Sequence, residues 1–416
     1  MSAKGVRSGD LHTLISTHFQ NDTRPLGIAV SGGSDSLALL HLMAEWRGAP
    51  LRCVTVDHGL RAASAGEAAQ VADICAGLGI PHDTLEWTGW DGQGNLPAAA
   101  RVARYALMAN WAQDRGLDGI ALGHTADDVA ETLLMRLARR AGVDGLAAMQ
   151  ARRQEGGVTL HRPLLHAHRA DLRSYLDARA IAWIDDPTNT DARYRRTQTR
   201  RALEALAPAC ITADALSDVA HHLREASDTL GYYAAREVAQ IASFEHGDLL
   251  LEAAPFGALR PDIARRILQA GLGWITGPGY GARGPDVTRM LARLDAGQGG
   301  TLAGCRITQS GGSIRLAREF AAIAAERVPQ GALWDNRWHL DGPAVEGAAV
   351  GALGPDGRKM CAEWRESGLP AHSVDTTPAL WIGQTLVAAP LAGYANGMSA
   401  RLDRTAADLQ AVLLSH

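Results

Sequence analysis

The chain has 416 residues, 46% of them hydrophobic and 21% charged, which is typical of a soluble globular protein of two or three domains. Its formal net charge of −4 at pH 7 shows that the protein as a whole is not a polycation. No apolar run approaches the ~20 residues that span a bilayer, and the N-terminus lacks the apolar segment of a secretory signal. The five cysteines are scattered without a Cys-x-x-Cys pair, which excludes zinc and iron–sulfur sites of common spacing and fits free thiols in a reducing cytoplasm.

The first informative segment is a predicted strand, turn and helix start. Leu26–Val30 is a short apolar run, and a helical pattern begins at Leu37. The turn between them reads Ser31, Gly32, Gly33, Ser34, Asp35 and Ser36. Backbone N–H groups of such a turn, together with a helix N-terminus, bind phosphate. The turn is neither a Walker A loop nor Gly-x-Gly-x-x-Gly, and an ordinary glycine turn is the alternative.

The first ~125 residues alternate between predicted strands and helices. The predicted strands are Leu26–Val30, Leu51–Val56, His82–Glu86 and Asp118–Leu122, and the predicted helices between them are Leu37–Trp46, Ala65–Leu78 and Pro97–Asp114. This order predicts an α/β domain with a doubly wound parallel sheet. Ligands bind at the C-terminal ends of such strands. Those ends are Ser31–Ser36, Asp57–His58 and Gly123–His124.

Carboxylates are concentrated at the start of the next predicted helix. Thr125 is the expected N-cap, with Asp128 three residues later as a capping-box partner. Asp127 and Glu131, four residues apart, share one helix face. Local capping accounts for the two aspartates without any function, because acids near a helix N-terminus are stabilised by the helix dipole. Hard carboxylate oxygens at the rim that holds the phosphate loop are also what Mg²⁺ on ATP requires, and this functional reading is the one we favour.

Positive charge is concentrated in the segment from Arg136 to Arg201. It contains fourteen arginines, no lysine and seven acids, a local charge of +7. Such a surface is typical of nucleic-acid binding. A solvated arginine-rich face is the alternative, since the whole chain has only two lysines, Lys4 and Lys359.

Beyond this segment the pattern changes to long helices. Residues 212–241 carry an apolar stripe at helical spacing, and Pro261 and Pro285 mark the first turns of two more helices. We predict a catalytic domain over 1–211, a mainly helical domain over 212–325 that closes with the strands Thr301–Thr308 and Ser313–Ala317, and a small α+β domain over 331–416. Residues 324–330 are the expected linker.

Several motifs in order resemble known families. Ser-Gly-Gly-x-Asp-Ser at 31–36 resembles the PP-loop of the ATP pyrophosphatase superfamily. The ordered set over residues 26 to about 200 resembles the tRNA(Ile)-lysidine synthase family. Its parts are Val56-Asp57-His58-Gly59-Leu60-Arg61, Ala100-Arg101-x-x-Arg104-Tyr105, Gly-His-x-x-Asp-Asp-x-x-Glu-Thr at 123–132, Arg162-Pro163-Leu164-Leu165 and Trp183-x-Asp185-Asp186-Pro187-Thr188-Asn189. Arg140 stands where that family has Gly, and Thr197 where it has Asn.

The resemblance implies a two-step reaction. ATP adenylates the wobble cytidine of tRNA(Ile) with a CAU anticodon and releases pyrophosphate, and L-lysine then displaces AMP. In that reading Ser31–Ser36 bind the ATP phosphates, Mg²⁺ lies on Asp35 with Asp127 or Asp128, and Asp57 and His58 lie near the adenosine. Arg101 would clamp the α-phosphate or the base, and Glu131 would recognise the lysine. Gly123-His124 would orient a carboxylate or the ligand.

The resemblance also implies a cytoplasmic enzyme that binds tRNA, and it is compatible with a homodimer. Candidate phosphate contacts are Arg136, Arg139, Arg195, Arg196, Arg200 and Arg201, which position RNA without reading its sequence. Three alternatives remain open: a PP-loop tRNA thiolase, which needs reactive cysteines; a PP-loop amidoligase, which leaves the arginine-rich segment unexplained; and an ATP-sensing RNA-binding module.

Overall fold

The computed structural model describes residues 8–59, 64–88, 90, 96–185, 195–277 and 281–414. The chain divides into two compact units, Met1–Ala226 and Ser227–His416, and the division falls inside one long helix, Ala213–Ile241. Within the described ranges, no helix combines the length and the apolar character needed to cross a membrane.

The first unit is built on one mixed sheet. Its described strands are β1 (Leu26–Ala29), β2 (Leu51–Asp57), β3 (His82–Glu86), β4 (Gly119–Leu122), β5 (Arg152–Glu155) and β6 (Val158–His161). They are ordered β3-β2-β1-β4-β6-β5, and every neighbouring pair is parallel except the hairpin of β5 and β6. The described helices are α1 (Ser8–His18), α2 (Ser34–Trp46), α3 (Ser64–Gly77), α4 (Leu96–Asp114), α5 (Ala126–Leu137), α6 (Val143–Leu146), α7 (Arg169–Asp177), α8 (Arg195–Leu206) and α9 (Ala213–Ile241).

Helices cover both faces of this sheet, because neighbouring strand residues point to opposite sides. Cys53 belongs to the core that α1, α2, α3 and α7 form on one face. Its neighbour Val54 belongs to the core that α4 forms on the other face. The predicted doubly wound architecture is confirmed, with the predicted strand and helix limits within three residues of those observed. The β5–β6 hairpin was not predicted, because β5 is a polar, largely exposed edge strand without apolar alternation.

The second unit combines helices with antiparallel sheets. Its described helices beyond α9 are α10 (Ala253–Gly257), α11 (Pro261–Thr276), α12 (Gly284–Asp295), α13 (Phe320–Ile323), α14 (Gly354–Met360), α15 (Ala371–Val374) and α16 (Ala406–Leu414). Its described strands are β7 (Ala242–Glu245), β8 (Asp248–Glu252), β9 (Gly300–Leu302), β10 (Cys305–Ser310), β11 (Ser313–Arg318), β12 (Arg327–Pro329), β13 (Trp338–Asp341), β14 (Ala349–Ala352), β15 (Pro378–Ile382), β16 (Thr385–Ala388) and β17 (Ser399–Leu402). They pair as β7-β8-β11-β10-β9, β12-β14-β15-β16 and β13-β17.

Two details of the second unit differ from the sequence expectation. The predicted strand 301–308 is a hairpin of β9 and β10, because Ala303 and Gly304 both have positive φ, 49° and 72°. The expected linker 324–330 contains β12, which pairs with β14. The C-terminal helix α16 joins the core of α11 through Leu409 and Leu413. The division of this unit into separate domains at 325–331 stays a prediction.

Candidate functional site

The loop between β1 and α2 is held in shape by its own serines. Ser36 Oγ donates to the carbonyl of Gly33 (3.0 Å) and accepts from the backbone N–H of Ser31 (3.2 Å). Gly33 is the N-cap of α2. Gly32 has φ +84°, and a Cβ there would lie 2.6 Å from Ile184 Cδ1, so only glycine fits. The loop therefore leads into the positive end of a helix dipole, where phosphate is stabilised.

The end of β4 lies directly against this loop. β1 and β4 are parallel neighbours, so their C-terminal ends lie side by side. A Cβ on Gly123 would lie 2.9 Å from the backbone oxygen of Asp35, and the close approach of the two segments thus depends on glycine. The structure places the start of α5 beside the Ser31–Ser36 loop.

The start of α5 has the predicted capping box. The backbone N–H and the hydroxyl of Thr125 both donate to Asp128 Oδ2, each at 3.0 Å. The N–H of Asp128 donates in return to Thr125 Oγ1 (3.4 Å). One carboxylate oxygen of this buried aspartate is therefore committed to capping the helix.

Arg169, at the first position of α7, links the candidate carboxylates. Its Nε donates to Asp35 Oδ2 (2.9 Å), and its Nη1 donates to Glu131 Oε1 (3.4 Å). Its Nη2 lies 3.5 Å from Asp128 Oδ1. Its backbone N–H donates to Asp127 Oδ2 (2.8 Å). One residue thus joins the phosphate loop to three acids of α5.

Sequence reasoning missed Arg169. Burial alone would lower its pKa, but the carboxylates of Asp35, Asp128 and Glu131 raise it above the usual range. The available signal was its position, because a cation in the first turn of a helix is disfavoured by the helix dipole and needs a partner elsewhere in the fold. The pattern does not say which partner.

Glu131 is the most deeply buried acid of the group, with 1% of its surface exposed. Its Oε1 accepts from Arg200 Nε at 2.7 Å. Its Oε2 is buried without a hydrogen-bond partner among the described residues, and Arg196 Nε lies 3.8 Å away. Arg196 and Arg200, predicted as phosphate contacts, therefore lie against this carboxylate.

Asp127 is held from two sides. It accepts the Arg169 backbone N–H, and His168 Nδ1 lies 3.6 Å from its Oδ2. His168 also pairs with Asp214 at the start of α9. Burial opposes ionisation of Asp127, but the nearby His168 and the hydrogen bond from the Arg169 backbone lower its pKa below the usual value. The carboxylate is therefore ionised at neutral pH.

In the part of the chain that the structure describes, Asp57, His58, Arg101 and His124 form no hydrogen bond or ion pair with this carboxylate group. Asp57, at the end of β2, accepts the N–H of Gly59 at 2.8 Å, and the ring of His58 lies 6.0 Å from that of Trp87. Arg101 contacts Tyr105 and, within the described ranges, no acid of the group. His124 is buried beside arginines, and its pKa falls to about 3, so its imidazole is neutral at pH 7.

The carboxylates at this site suit a Mg²⁺ ion that arrives bound to a nucleotide better than a metal ion held only by protein ligands. No group of three or more His, Cys, Asp or Glu side chains within the described ranges is arranged to hold a metal ion. Mg²⁺ needs only one or two carboxylates when substrate phosphates complete its coordination. Asp35, Asp127 and Asp128 fit this role, since each carboxylate keeps oxygen lone pairs beyond the hydrogen bonds that it accepts.

Comparisons with known proteins agree with this geometry. Residues 9–207 match a family model described as a PP-loop domain. The chain is 50% identical over 396 residues to the tRNA(Ile)-lysidine synthase of Ruegeria pomeroyi, and the match covers 94% of each chain. It is 37% identical over 322 residues to the enzyme of that name from Bradyrhizobium diazoefficiens, covering 70% of this chain and 89% of the relative. With that from Brucella canis, identity is 36% over 385 residues, covering 87% and 85%.

Proposed function

The chain belongs to the tRNA(Ile)-lysidine synthase family, and we propose that it converts the wobble cytidine of tRNA(Ile) with a CAU anticodon into lysidine. ATP adenylates O2 of the base and releases pyrophosphate. The ε-amine of L-lysine then attacks C2 and releases AMP. The observation that carries this proposal is the carboxylate group on α5 beside the Ser31–Ser36 loop.

The first step needs stabilisation of negative charge on the leaving pyrophosphate. The N–H groups of the Ser31–Ser36 loop and the start of α2 are preorganised donors for it. Asp35, together with Asp127 or Asp128, would hold Mg²⁺, which when bound neutralises phosphate charge. Arg169 now neutralises Asp35, so its guanidinium would have to move when Mg²⁺ and ATP bind. Asp57 and His58 would lie near the adenosine.

The second step needs a neutral lysine amine close to the activated base. Glu131 is the acid that we assign to the incoming lysine, because its Oε2 is buried without a hydrogen-bond partner among the described residues. A carboxylate there would hold an ammonium group or accept the proton that the amine loses on attack.

The thiolase alternative is disfavoured by the cysteines. All five are free thiols, and only Cys210 is exposed. Cys53 and Cys75 lie in the core of the first unit, where a sulfur-transfer step would have no access to substrate. Free thiols in this number also fit the reducing cytoplasm that we propose as the enzyme's compartment.

The direct test is transfer of radiolabelled L-lysine to tRNA in the presence of ATP and Mg²⁺. We expect label in tRNA(Ile) with a CAU anticodon, and far less in methionine tRNA of the same anticodon. Equal labelling of both RNAs, or none of either, would contradict the proposed substrate. Sedimentation of the same preparation tests the homodimer with which the family resemblance is compatible.

We expect Glu131→Gln to separate the two steps. Pyrophosphate release in the absence of lysine should change little, whereas lysine transfer should fall by about 100-fold or more, since loss of a positioned proton acceptor typically costs that much. Quench-flow assays of pyrophosphate and of labelled tRNA measure the steps separately.

Glu155→Gln is the matched control, because Glu155 pairs with Arg153 at the β5–β6 hairpin. It should leave both steps unchanged. An equal loss of both steps in Glu131→Gln, with normal thermal stability, would show that Glu131 has no separate role in lysine transfer.

A further inference from the structure

Three arginines surround the side chain of Tyr105 in the first unit. Arg101 Nη2 donates to the hydroxyl of Tyr105 at 3.3 Å. Arg104 and Arg162 also face Tyr105: burial would raise the pKa of its hydroxyl, but the charges of Arg101, Arg104 and Arg162 lower it. The guanidinium carbons of Arg101 and Arg104 lie 5.2 and 5.3 Å from the centre of its ring. One phenol is thus the shared neighbour of three cations.

Some N–H donors of these arginines have no hydrogen-bond partner among the described residues. Arg162 is 5% exposed, and its Nε is buried without a hydrogen-bond partner among the described residues. The same holds for Arg104 Nε and for Nδ1 of the neighbouring His124. Buried donors almost always have a partner, so a cluster of unused ones points to a ligand.

The cluster also lacks negative charge. Within the described ranges, none of Arg101, Arg104 and Arg162 pairs with a carboxylate, in contrast to Arg169 with its three acids. The Nη1 of Arg162 donates to the backbone carbonyl of Gln150 (2.8 Å), which leaves its charge uncompensated. Burial and neighbouring arginines lower the pKa of Arg104 and Arg162, although Tyr105 acts in the opposite direction. A bound anion would offset the free-energy cost of burying these uncompensated positive charges.

The cluster borders the candidate catalytic site. His124, which follows β4, lies within electrostatic range of Asp128 and also of Arg162, Arg104 and Arg101. A ligand bound to the arginines would therefore lie close to the acids of α5.

We propose that Arg101, Arg104, Arg162 and Tyr105 bind a phosphodiester of the RNA strand next to the target cytidine. This inference rests on the proposed function. Phosphate could also come from ATP, but the Ser31–Ser36 loop already provides donors for the nucleotide. Further cations lie near the cluster, because Arg196 is a neighbour of Arg104 and Arg136 is a neighbour of Arg101. A single phosphate group does not require this many positive charges.

The test is Arg104→Gln, with RNA and ATP affinities measured separately. We expect the dissociation constant for tRNA(Ile), measured by filter binding, to rise about tenfold, because a hydrogen bond to a charged group is lost. The slope of log affinity against log salt should fall by about one. ATP affinity, measured by equilibrium dialysis, should not change.

Arg115→Gln is the matched control, because Arg115 pairs with Asp83 near the end of the same helix. It removes the same charge and should leave RNA affinity unchanged. If Arg104→Gln lowers the melting temperature, Arg101→Gln, a change at an exposed residue, provides the same test. Unchanged RNA affinity, or a loss confined to ATP, would overturn the inference. Wild-type protein that binds tRNA through this cluster but transfers no lysine would instead overturn the proposed function.

Discussion

Replacing Asp335 by alanine is expected to lower the free energy of unfolding of the second unit by about 3–5 kcal/mol, the usual cost of removing one partner from a buried ion pair. Asp335 is 2% exposed. Its carboxylate accepts from Arg318 Nε at 3.0 Å and from Arg337 Nε at 2.9 Å. Alanine would leave both buried guanidinium groups without their shared counter-charge.

The two arginines have further structural roles. Arg318 Nη1 donates to the carbonyl of Gly304 in the β9–β10 turn (2.7 Å), and Arg337 Nη1 donates to the carbonyl of Gly247 between β7 and β8 (2.8 Å). Loss of Asp335 therefore weakens the attachment of two hairpin turns as well as the ion pairs.

Urea denaturation followed by tryptophan fluorescence measures this effect, since Trp334 and Trp338 lie beside Asp335 in the sequence and are buried. Asp341→Ala is the matched control, because Asp341 forms a solvent-exposed pair with Arg401, and such pairs contribute about 0–1 kcal/mol. A stability change of equal size in the two variants would show that the buried triad is not important for folding.

Asp127→Asn is expected to reduce pyrophosphate release by about 1,000-fold, the upper range for loss of one preorganised electrostatic group. Asparagine keeps the shape and still accepts the Arg169 N–H, but it removes the charge that would hold Mg²⁺. Because the pKa of Asp127 is lowered, the wild-type carboxylate carries this charge throughout the neutral range.

Asp177→Asn, at an exposed residue of α7, is the control and should release pyrophosphate at the wild-type rate. Asp128→Asn should also abolish adenylation, and it should in addition lower the melting temperature, because Asp128 caps α5. Normal pyrophosphate release by Asp127→Asn would rule out a role for this carboxylate in the first step.

Much of the first unit was predictable because its signals are local. Short apolar runs separated by helical patterns define a parallel sheet, and Thr125 with Asp128 three residues later defines a capping box. The turn after α5 shows the limit of such signals. Arg140 adopts φ 57°, in the region that favours glycine, and the only sign of this was that the resembled family has Gly at that position.

What the sequence determined by itself is the four parallel strands β1–β4, the Ser31–Ser36 loop and the helix that presents Asp127, Asp128 and Glu131, because each depends on residues close together in the chain. Only the tertiary structure decided which charged side chains pair with one another. Arg169 reaches Asp35 across 134 positions of sequence, while Arg104 and Arg162 face Tyr105 and, among the residues that the structure describes, pair with no acid. Such pairings depend on the packing of separate helices and strands, and side-chain type alone carries no information about them.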